Sequence, residues 1–215
     1  MSVLILRKDP LWENDMKNSI IPLTDRFIDA ILYCLQLHGH DTRKGKSTPY
    51  VAHLMSVCAL VLEHGGDEDE AIAALLHDAL EDHPDTVSRN DIHSRFGSNV
   101  LNFIEECTDT PTEYTGGEKP PWRSRKQRLL DHIREAVPSV QRIALADKVH
   151  NARTLLADYR KDGDAIWERF NAGKSEQLWF YQSLVTAFRE AGATGYLMEE
   201  LERIVTELQT LCEAT

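Results

Sequence analysis

The sequence predicts an all-α protein built as a single helical domain. Apolar residues recur at spacings of three and four along nearly the whole chain, and no stretch alternates apolar and polar residues as a half-buried strand would. Glycines, prolines and N-capping side chains interrupt this periodicity at intervals that suit helices. A chain of 215 residues with 42% hydrophobic and 27% charged residues can bury the core of one domain. We therefore expect a helical domain over 21–215, preceded by an N-terminal extension over 1–20.

In chain order, the periodicity and its breaks predict nine helices. Breaks such as Gly39, Pro84, Gly97 and Pro138 give their boundaries. The predicted helices lie at about 22–39, 50–64, 68–82, 88–95, 98–107, 122–136, 138–160, 174–191 and 195–213. The connections 40–49 and 108–121 are polar and long for links between packed helices, and such loops tend to be functional or disordered.

Composition and charge exclude several classes of protein. A formal net charge of −11 argues against a general nucleic-acid binder, which needs a dominant basic face. No apolar run approaches the roughly 20 residues that cross a bilayer, and the apolar patch at 3–6 is shorter than the about 7–15 residues of a signal-peptide core. The four cysteines are scattered, as expected of reduced structural thiols. We expect a cytoplasmic protein without a membrane or nucleic-acid partner; the sequence does not indicate its oligomeric state.

Ligand-type side chains interrupt three apolar helices. His77 and Asp78 lie within AIAALLHDALED, His53 interrupts the helix that begins near residue 50, and Asp147 follows the run IALA. Proteins avoid burying an unpaired carboxylate, and pair it or coordinate it to a metal instead. Two imidazoles and two carboxylates suit a borderline divalent ion such as Mn²⁺, Fe²⁺ or Zn²⁺. We therefore predict one metal site from these four residues; the alternative is a set of hydrogen bonds and salt bridges between helices.

A second tier of polar residues lies one helical turn beyond these candidates. Glu81, Asp82 and Asn151 follow His77, Asp78 and Asp147 by four residues, a spacing that places side chains on one helix face. A structural metal site does not require such additional polar residues. A hydrolytic site does, because a carboxylate must orient and deprotonate the attacking water. A divalent metal lowers the pKa of water and polarises a phosphoryl oxygen. The pattern indicates a metal-dependent phosphohydrolase.

The strings that carry these residues resemble a known family. RKGKSTPYVAH (43–53), LLHDALED (75–82) and LADKVHNARTL (145–155) are similar to the hydrolase half of RelA/SpoT alarmone enzymes and to stand-alone small alarmone hydrolases, within the HD superfamily. The resemblance covers roughly residues 25–190. It implies an HD-domain bundle of about ten helices, a bound Mn²⁺, and hydrolysis of the 3′-pyrophosphate of guanosine tetra- or pentaphosphate to GDP or GTP and pyrophosphate.

The resemblance also implies roles for individual positions. The residues that match the family's metal ligands are His53, His77, Asp78 and Asp147. Glu81 and Asp82 match its catalytic acidic pair, and Glu81 is our choice for activating water. The residues that match the nucleotide site are Arg43, Lys44, Tyr50, Asn151 and Thr154. Either Arg43 or Lys44 corresponds to the arginine that stacks on the base, which leaves the choice between guanine and adenine open.

Basic residues are concentrated at two places in this acidic chain. One group lies in the loop before His53, and the other is KPPWRSRKQR (119–128), from which Arg125 and Lys126 are further candidates for phosphate contact. The alternative for this second group is a solvated helix face. Other histidines, among them His38 and His83, are predicted to be surface or capping residues, and Phe170 and Tyr181 to pack between helices.

Two other functions remain open on the sequence alone. The first is a different phosphohydrolase with the same site, acting on (p)ppApp, on the 2′-phosphate of NADPH or on another nucleotide. The second is a non-catalytic nucleotide sensor that keeps the helical shell, although the intact Glu81–Asp82 pair argues against it. In each case the expected partner is a small-molecule nucleotide.

Overall fold

The computed structural model describes residues 22–108 and 120–213, and this part of the chain is helical. It contains nine α-helices and one 3₁₀ helix, Gly163–Arg169. The α-helices are α1 Asp25–His38, α2 Val51–Glu63, α3 Glu68–Leu76, α4 Ala79–Asp82, α5 Arg89–Cys107, α6 Trp122–Glu135, α7 Pro138–Asp162, α8 Lys174–Glu190 and α9 Tyr196–Glu213. The described residues form no strand, only an isolated antiparallel bridge between Thr42 and Pro49. The all-α prediction is confirmed.

Helices α3 and α7 form the centre of the bundle. Helix α3 is covered by α1, α2 and α5, while α7 contacts α2, α3, α5 and α9. The segment 71–76 is almost completely buried, which explains why this helix is apolar around most of its circumference. Because α2, α3 and α7 pack directly on one another, polar side chains on their facing sides meet inside the bundle. No helix among the described residues is both long and apolar enough to cross a membrane.

Local capping chemistry accounts for several helix starts. The Thr24 side chain accepts a hydrogen bond from the backbone of Arg26 before α1, and Asp67 and Ser88 form reciprocal capping boxes with Glu70 and Asp91. Each box satisfies backbone N–H groups that have no partner within the helix. These caps lie within a few residues of the predicted helix starts.

One predicted helix is divided in the structure. The helix expected over 68–82 ends at Leu76 and resumes at Ala79, and at this break the His77 imidazole donates from Nδ1 to the carbonyl of Ala74, the group to which the Asp78 N–H would bond in a continuous helix (2.9 Å). The helices expected over 88–95 and 98–107 are the two parts of α5, which is interrupted at Gly97, where φ is +89° and ψ is 174°, so the predicted break is present. The 3₁₀ helix was not predicted. The extension 1–20 and most of the loop 108–121 lie outside the described residues, so the boundary at residue 21 stays a prediction.

Gly66, in the turn between α2 and α3, is a position where a larger side chain is expected to destabilise the protein. A Cβ atom at Gly66 would lie 2.7 Å from Glu70 Oε2 and 2.9 Å from the Val61 carbonyl oxygen. Glu70 cannot give way easily, because it is buried, caps α3 and pairs with Arg142 (2.5 Å). We expect Gly66→Ala to lower the free energy of unfolding by about 1–3 kcal/mol, measured by chemical denaturation. Gly173→Ala, where a Cβ meets no atom within 4 Å, is the control without a steric clash and should lower it by less.

Candidate active site

Four side chains from α2, α7 and the α3–α4 turn converge inside the bundle. His53 Nε2 lies 3.2 Å from Asp147 Oδ1 and 3.9 Å from Asp78 Oδ2. His77 Nε2 lies 3.1 Å from Asp78 Oδ2 and 3.8 Å from Asp147 Oδ1. The structure thus brings together all four residues that the sequence nominated as metal ligands. His53, His77 and Asp147 are buried, and Asp78 is partly exposed.

The partners of the two His77 ring nitrogens show whether this cluster fits a metal ion. Its Nδ1 lies 2.9 Å from the carbonyl oxygen of Ala74 and donates to it, so Nε2 is the ring atom that faces the cluster. Despite burial, the charges of Asp78 and Asp147 raise the pKa of His77 to about 9, so a proton occupies Nε2 until a cation replaces it. That Nε2 is buried and makes no hydrogen bond, although Asp78 Oδ2 lies 3.1 Å away. A buried ring nitrogen without a hydrogen-bond partner that faces two carboxylates is suited to bind a cation. The donor set therefore fits a divalent metal.

The second imidazole is oriented by another histidine. His53 Nδ1 lies 2.8 Å from His150 Nδ1. For His53 Nε2 to bind a metal, Nδ1 must carry the proton and donate it to His150, which is the usual arrangement around a metal-bound imidazole. Burial lowers the pKa of His53. Burial, repulsion between protons on His150 and His53, and the Arg43 guanidinium lower the pKa of His150 to about 4. Both rings are therefore neutral near pH 7, as this hydrogen bond requires.

The two carboxylates are ionised and have further partners. Despite burial, the Lys148 ammonium group and the His53 imidazole hold the pKa of Asp147 well below its usual range, and the His77 imidazole does the same for Asp78. Lys148 Nζ donates to Asp147 Oδ2, and the Tyr50 hydroxyl donates to Asp78 Oδ2 at 2.6 Å. The cluster thus keeps the negative charge that a divalent cation requires.

A chain of hydrogen bonds links this cluster to a neighbouring cleft. Asn151, one turn after Asp147 on α7, donates through Nδ2 to Asp147 Oδ1 at 2.5 Å. Its Oδ1 accepts from Arg43 Nη2, also at 2.5 Å, and the Arg43 guanidinium lies 5.5 Å from the centre of the Tyr50 ring. The predicted pairing of Asn151 with Asp147 across one helical turn is present. Arg43 therefore lines the cleft and is linked through Asn151 to the buried cluster.

The cleft has a volume of about 300 Å³ and is bordered by the loop 40–49, α7, α8 and the end of the 3₁₀ helix. Five predicted substrate residues line it: Arg43, Lys44, Tyr50, Asn151 and Thr154. Six lining residues were not predicted for it: Lys46, Leu155, Asp158, Arg169, Phe170 and Tyr181. Phe170 and Tyr181 were assigned to helix packing, whereas here they give the cleft an aromatic wall. Lys46 belongs to the basic loop that the sequence singled out. Nothing local in the sequence connects Arg169, Phe170 or Tyr181 to this loop.

Acidic residues hold two of the cleft's basic side chains in place. Lys46 Nζ pairs with Asp158 at 2.6 Å, and Arg169 contacts Asp162 at 2.5 Å and Asp158 at 3.4 Å. Lys44 Nζ donates instead to Asn171 Oδ1 at 2.9 Å, near the surface. Four basic residues thus border a cleft in a chain of net charge −11, which favours an anionic ligand there.

The predicted acidic pair lies on α4, directly after the metal-ligand turn. Glu81 Oε2 accepts a hydrogen bond from Thr108 Oγ1 at 3.1 Å. Asp82 keeps the helical relation to Asp78, because its N–H bonds to the Asp78 carbonyl at 2.8 Å. Partial burial of its carboxyl group and the nearby charges of Asp78 and Glu81 raise the pKa of Asp82 to about 6. A carboxyl group with a pKa near neutrality is suited to proton transfer.

The structure does not bring every candidate to the cleft. Arg125 and Lys126 lie on α6 and are not among the residues that line it. Arg125 Nε donates to the Pro120 carbonyl at 3.3 Å, and Lys126 Nζ lies 5.1 Å from the centre of the Phe180 ring. A phosphate contact by either residue stays a prediction.

Comparison with known proteins agrees with this geometry. The sequence model of the family described as HD domain matches residues 30–177, which carry all four clustered side chains. The chain belongs to the HD domain family. The HD-superfamily resemblance of the three strings is thereby confirmed.

Two named relatives and one solved structure are similar to this chain. The chain is 33% identical over 131 residues to guanosine-3′,5′-bis(diphosphate) 3′-pyrophosphohydrolase MESH1 of Xenopus tropicalis, covering 60% of this chain and 68% of that protein. It is 30% identical over 133 residues to the Homo sapiens protein of the same name, covering 60% and 69%. A solved structure, described as a metazoan ortholog of SpoT that hydrolyzes ppGpp, shares the fold with a TM-score of 0.69 at 24% identity, covering 88% of this chain and 98% of that one.

Proposed function

We propose that this HD-domain protein is a hydrolase that removes the 3′-pyrophosphate group from guanosine-3′,5′-bis(diphosphate) and its pentaphosphate, giving GDP or GTP and pyrophosphate. The observation that carries the proposal is the hydrogen-bonded chain from Asp147 through Asn151 to Arg43, since it joins a candidate metal cluster to a basic, aromatic cleft. The relatives named as 3′-pyrophosphohydrolases support this substrate class.

We propose His53, His77, Asp78 and Asp147 as the ligands of one divalent metal, with Mn²⁺ as the native ion. Two nitrogen and two carboxylate donors, without a thiolate, suit Mn²⁺ and are also compatible with Fe²⁺ or Zn²⁺. When bound, the metal supplies Lewis-acid polarisation of a phosphoryl oxygen and lowers the pKa of water. His150 and the Ala74 carbonyl orient the two imidazoles for this task.

The cleft residues bind and orient the nucleotide. Arg43, Lys44, Lys46 and Arg169 neutralise the phosphate groups, and the planar Arg43 guanidinium can grip a phosphate in bidentate fashion or stack on the base. Its contact with Asn151 favours Arg43 over Lys44 as the base-stacking residue, because Lys44 points toward Asn171 at the surface. Tyr181 and Phe170 provide apolar surface for the base or ribose.

The two acidic residues on α4 carry out the proton transfers of the reaction. A water oxygen forms a bond to the phosphorus attached to the 3′-oxygen, and the bond between that phosphorus and the 3′-oxygen breaks, so that pyrophosphate leaves. The Glu81 carboxylate accepts the proton of the attacking water, while Thr108 holds the same carboxylate in place. The Asp82 carboxyl group, whose pKa is raised, is suited to deliver a proton to the 3′-oxygen.

A panel of nucleotides tests this function directly. The protein loaded with Mn²⁺ is incubated with ppGpp, pppGpp, ppApp, NADPH and simple nucleoside phosphates, and released pyrophosphate and phosphate are measured separately. We expect pyrophosphate from the guanosine 3′,5′-bis(diphosphate) substrates at the highest kcat/KM. Release of single phosphate groups from NADPH or a nucleoside monophosphate instead would favour the other phosphohydrolases, and tight binding without turnover would favour a sensor.

The position of Arg43 predicts an effect on substrate binding. We expect Arg43→Ala to raise KM for the nucleotide about 10- to 100-fold, because one hydrogen bond to a charged group contributes about 1.5–3 kcal/mol. Metal content, measured by elemental analysis, should not change. The matched control is Lys161→Ala, an exposed basic residue at the end of α7 outside the cleft. An unchanged KM in Arg43→Ala would exclude this residue from substrate binding.

A further inference from the structure

A second group of ligand-type side chains lies where α1 ends and α4 ends. His38 Nδ1 is 2.9 Å from Asp41 Oδ2, His83 Nε2 is 2.8 Å from the same oxygen, and the two nitrogens are 3.3 Å apart. His38 is completely buried, so the prediction that it is a surface or capping residue was wrong. Three donor atoms, two from the end of α1 and the residues after it and one from the end of α4, thus lie within 4.8 Å of one another.

We propose that His38 Nδ1, Asp41 Oδ2 and His83 Nε2 form a second divalent-cation site, distinct from the four-residue cluster of the active site. In a tetrahedral site with bonds of about 2.0–2.1 Å, neighbouring ligand atoms lie about 3.3 Å apart, and in an octahedral site about 3.0 Å. The three separations, 2.8, 2.9 and 3.3 Å, are close to these values. Because the ligand atoms already have nearly the spacing that coordination requires, binding needs little rearrangement.

Access and charge favour a cation at this position. The Asp41 side chain is 38% exposed and that of His83 22% exposed, so an ion can enter from solvent and water can complete its coordination. The buried His38 fixes the inner side of the site. Two imidazoles and one carboxylate are the donor set that Zn²⁺ and neighbouring transition metals prefer, whereas Mg²⁺ and Ca²⁺ prefer oxygen donors. The ligand we expect is therefore Zn²⁺ or a similar transition-metal ion.

The three ligands connect segments that carry different parts of the proposed active site. Asp41 begins the loop that holds Arg43, Lys44 and Lys46, and His83 directly follows Asp82. The His38 ring lies 5.4 Å from the ring of Tyr50, whose hydroxyl contacts Asp78. An ion bound here would hold the basic loop against the end of α4. It is therefore a positioning site, because none of its ligands lines the cleft.

Metal-binding stoichiometry distinguishes this site from the first one. Chelator-treated protein is titrated with Zn²⁺ by calorimetry and with Co²⁺ by absorption spectroscopy, which reports the coordination geometry. We expect two ions per chain for the unmodified protein, one for His53→Ala, one for His83→Ala and none at comparable affinity for the double variant. His93→Ala, an exposed histidine on α5, is the control and should bind two.

The outcomes separate this proposal from the proposed function. If His83→Ala binds the same number of ions as the unmodified protein with the same affinities, the second site does not exist, and Asp41 only accepts hydrogen bonds from two imidazoles. The same conclusion follows if His53→Ala, with helix content intact by circular dichroism, binds no ion. If His53→Ala fails to fold, a fall from two ions to one in the single His83→Ala variant decides the question. None of these results depends on which nucleotide is hydrolysed.

Discussion

Replacing His53 or Asp147 by alanine is expected to remove both the active-site metal and the hydrolytic activity. Each variant deletes one of the four converging donors, and the remaining groups no longer enclose the ion. Metal assistance contributes several kcal/mol to such reactions, so we expect kcat/KM to fall at least on the order of 10³-fold. Hydrolysis assays and elemental analysis of protein purified without chelator measure the two losses.

Surface variants control for general damage to the protein. His93→Ala and Asp131→Ala replace exposed residues of the same two types and should retain activity and metal content. Circular dichroism must show intact helix content in the site variants, since His53 and Asp147 are buried. A folded variant of either residue that keeps the affinity of the active-site ion would contradict the proposed ligand set.

Glu81→Gln is expected to separate catalysis from binding. The amide retains the size of the side chain, and its oxygen can still accept the hydrogen bond from Thr108, but it cannot take a proton from water. General-base catalysis typically contributes about 10²- to 10⁴-fold, and we expect kcat to fall within this range. The affinity for metal and for nucleotide should change little, because Glu81 lies outside the group of four ligands and outside the cleft lining.

The appropriate comparison for this variant is Glu63→Gln, an exposed glutamate at the end of α2. It undergoes the same chemical change and should keep full kcat. Single-turnover kinetics with excess enzyme distinguish slow chemistry from slow product release. If Glu81→Gln turns over at the normal rate, the proton acceptor is another group, and Asp82 is the first to examine by Asp82→Asn.

The sequence by itself determined the helical class, most helix positions and membership of the HD domain family. These features are encoded locally: apolar spacing of three and four marks a helix face, and Asp67 and Ser88 cap their own helices. The pairing of Asn151 with Asp147 also follows from spacing, since both lie on one face of α7. The nomination of four polar residues in apolar helices required only the cost of burying a charge without a partner.

Only the tertiary structure decided how these local pieces meet. The apolar pattern of α3 contains no sign of the break at His77, where the imidazole donates to the backbone carbonyl of Ala74. Arg169, Phe170 and Tyr181 reach the cleft from the 3₁₀ helix and α8, more than a hundred residues after the loop that they face. His38 and His83 likewise meet because α1 packs beside α3, which places the end of α1 near the residue that follows α4. Such contacts depend on the angles and distances between packed helices, which the periodicity of one helix does not specify.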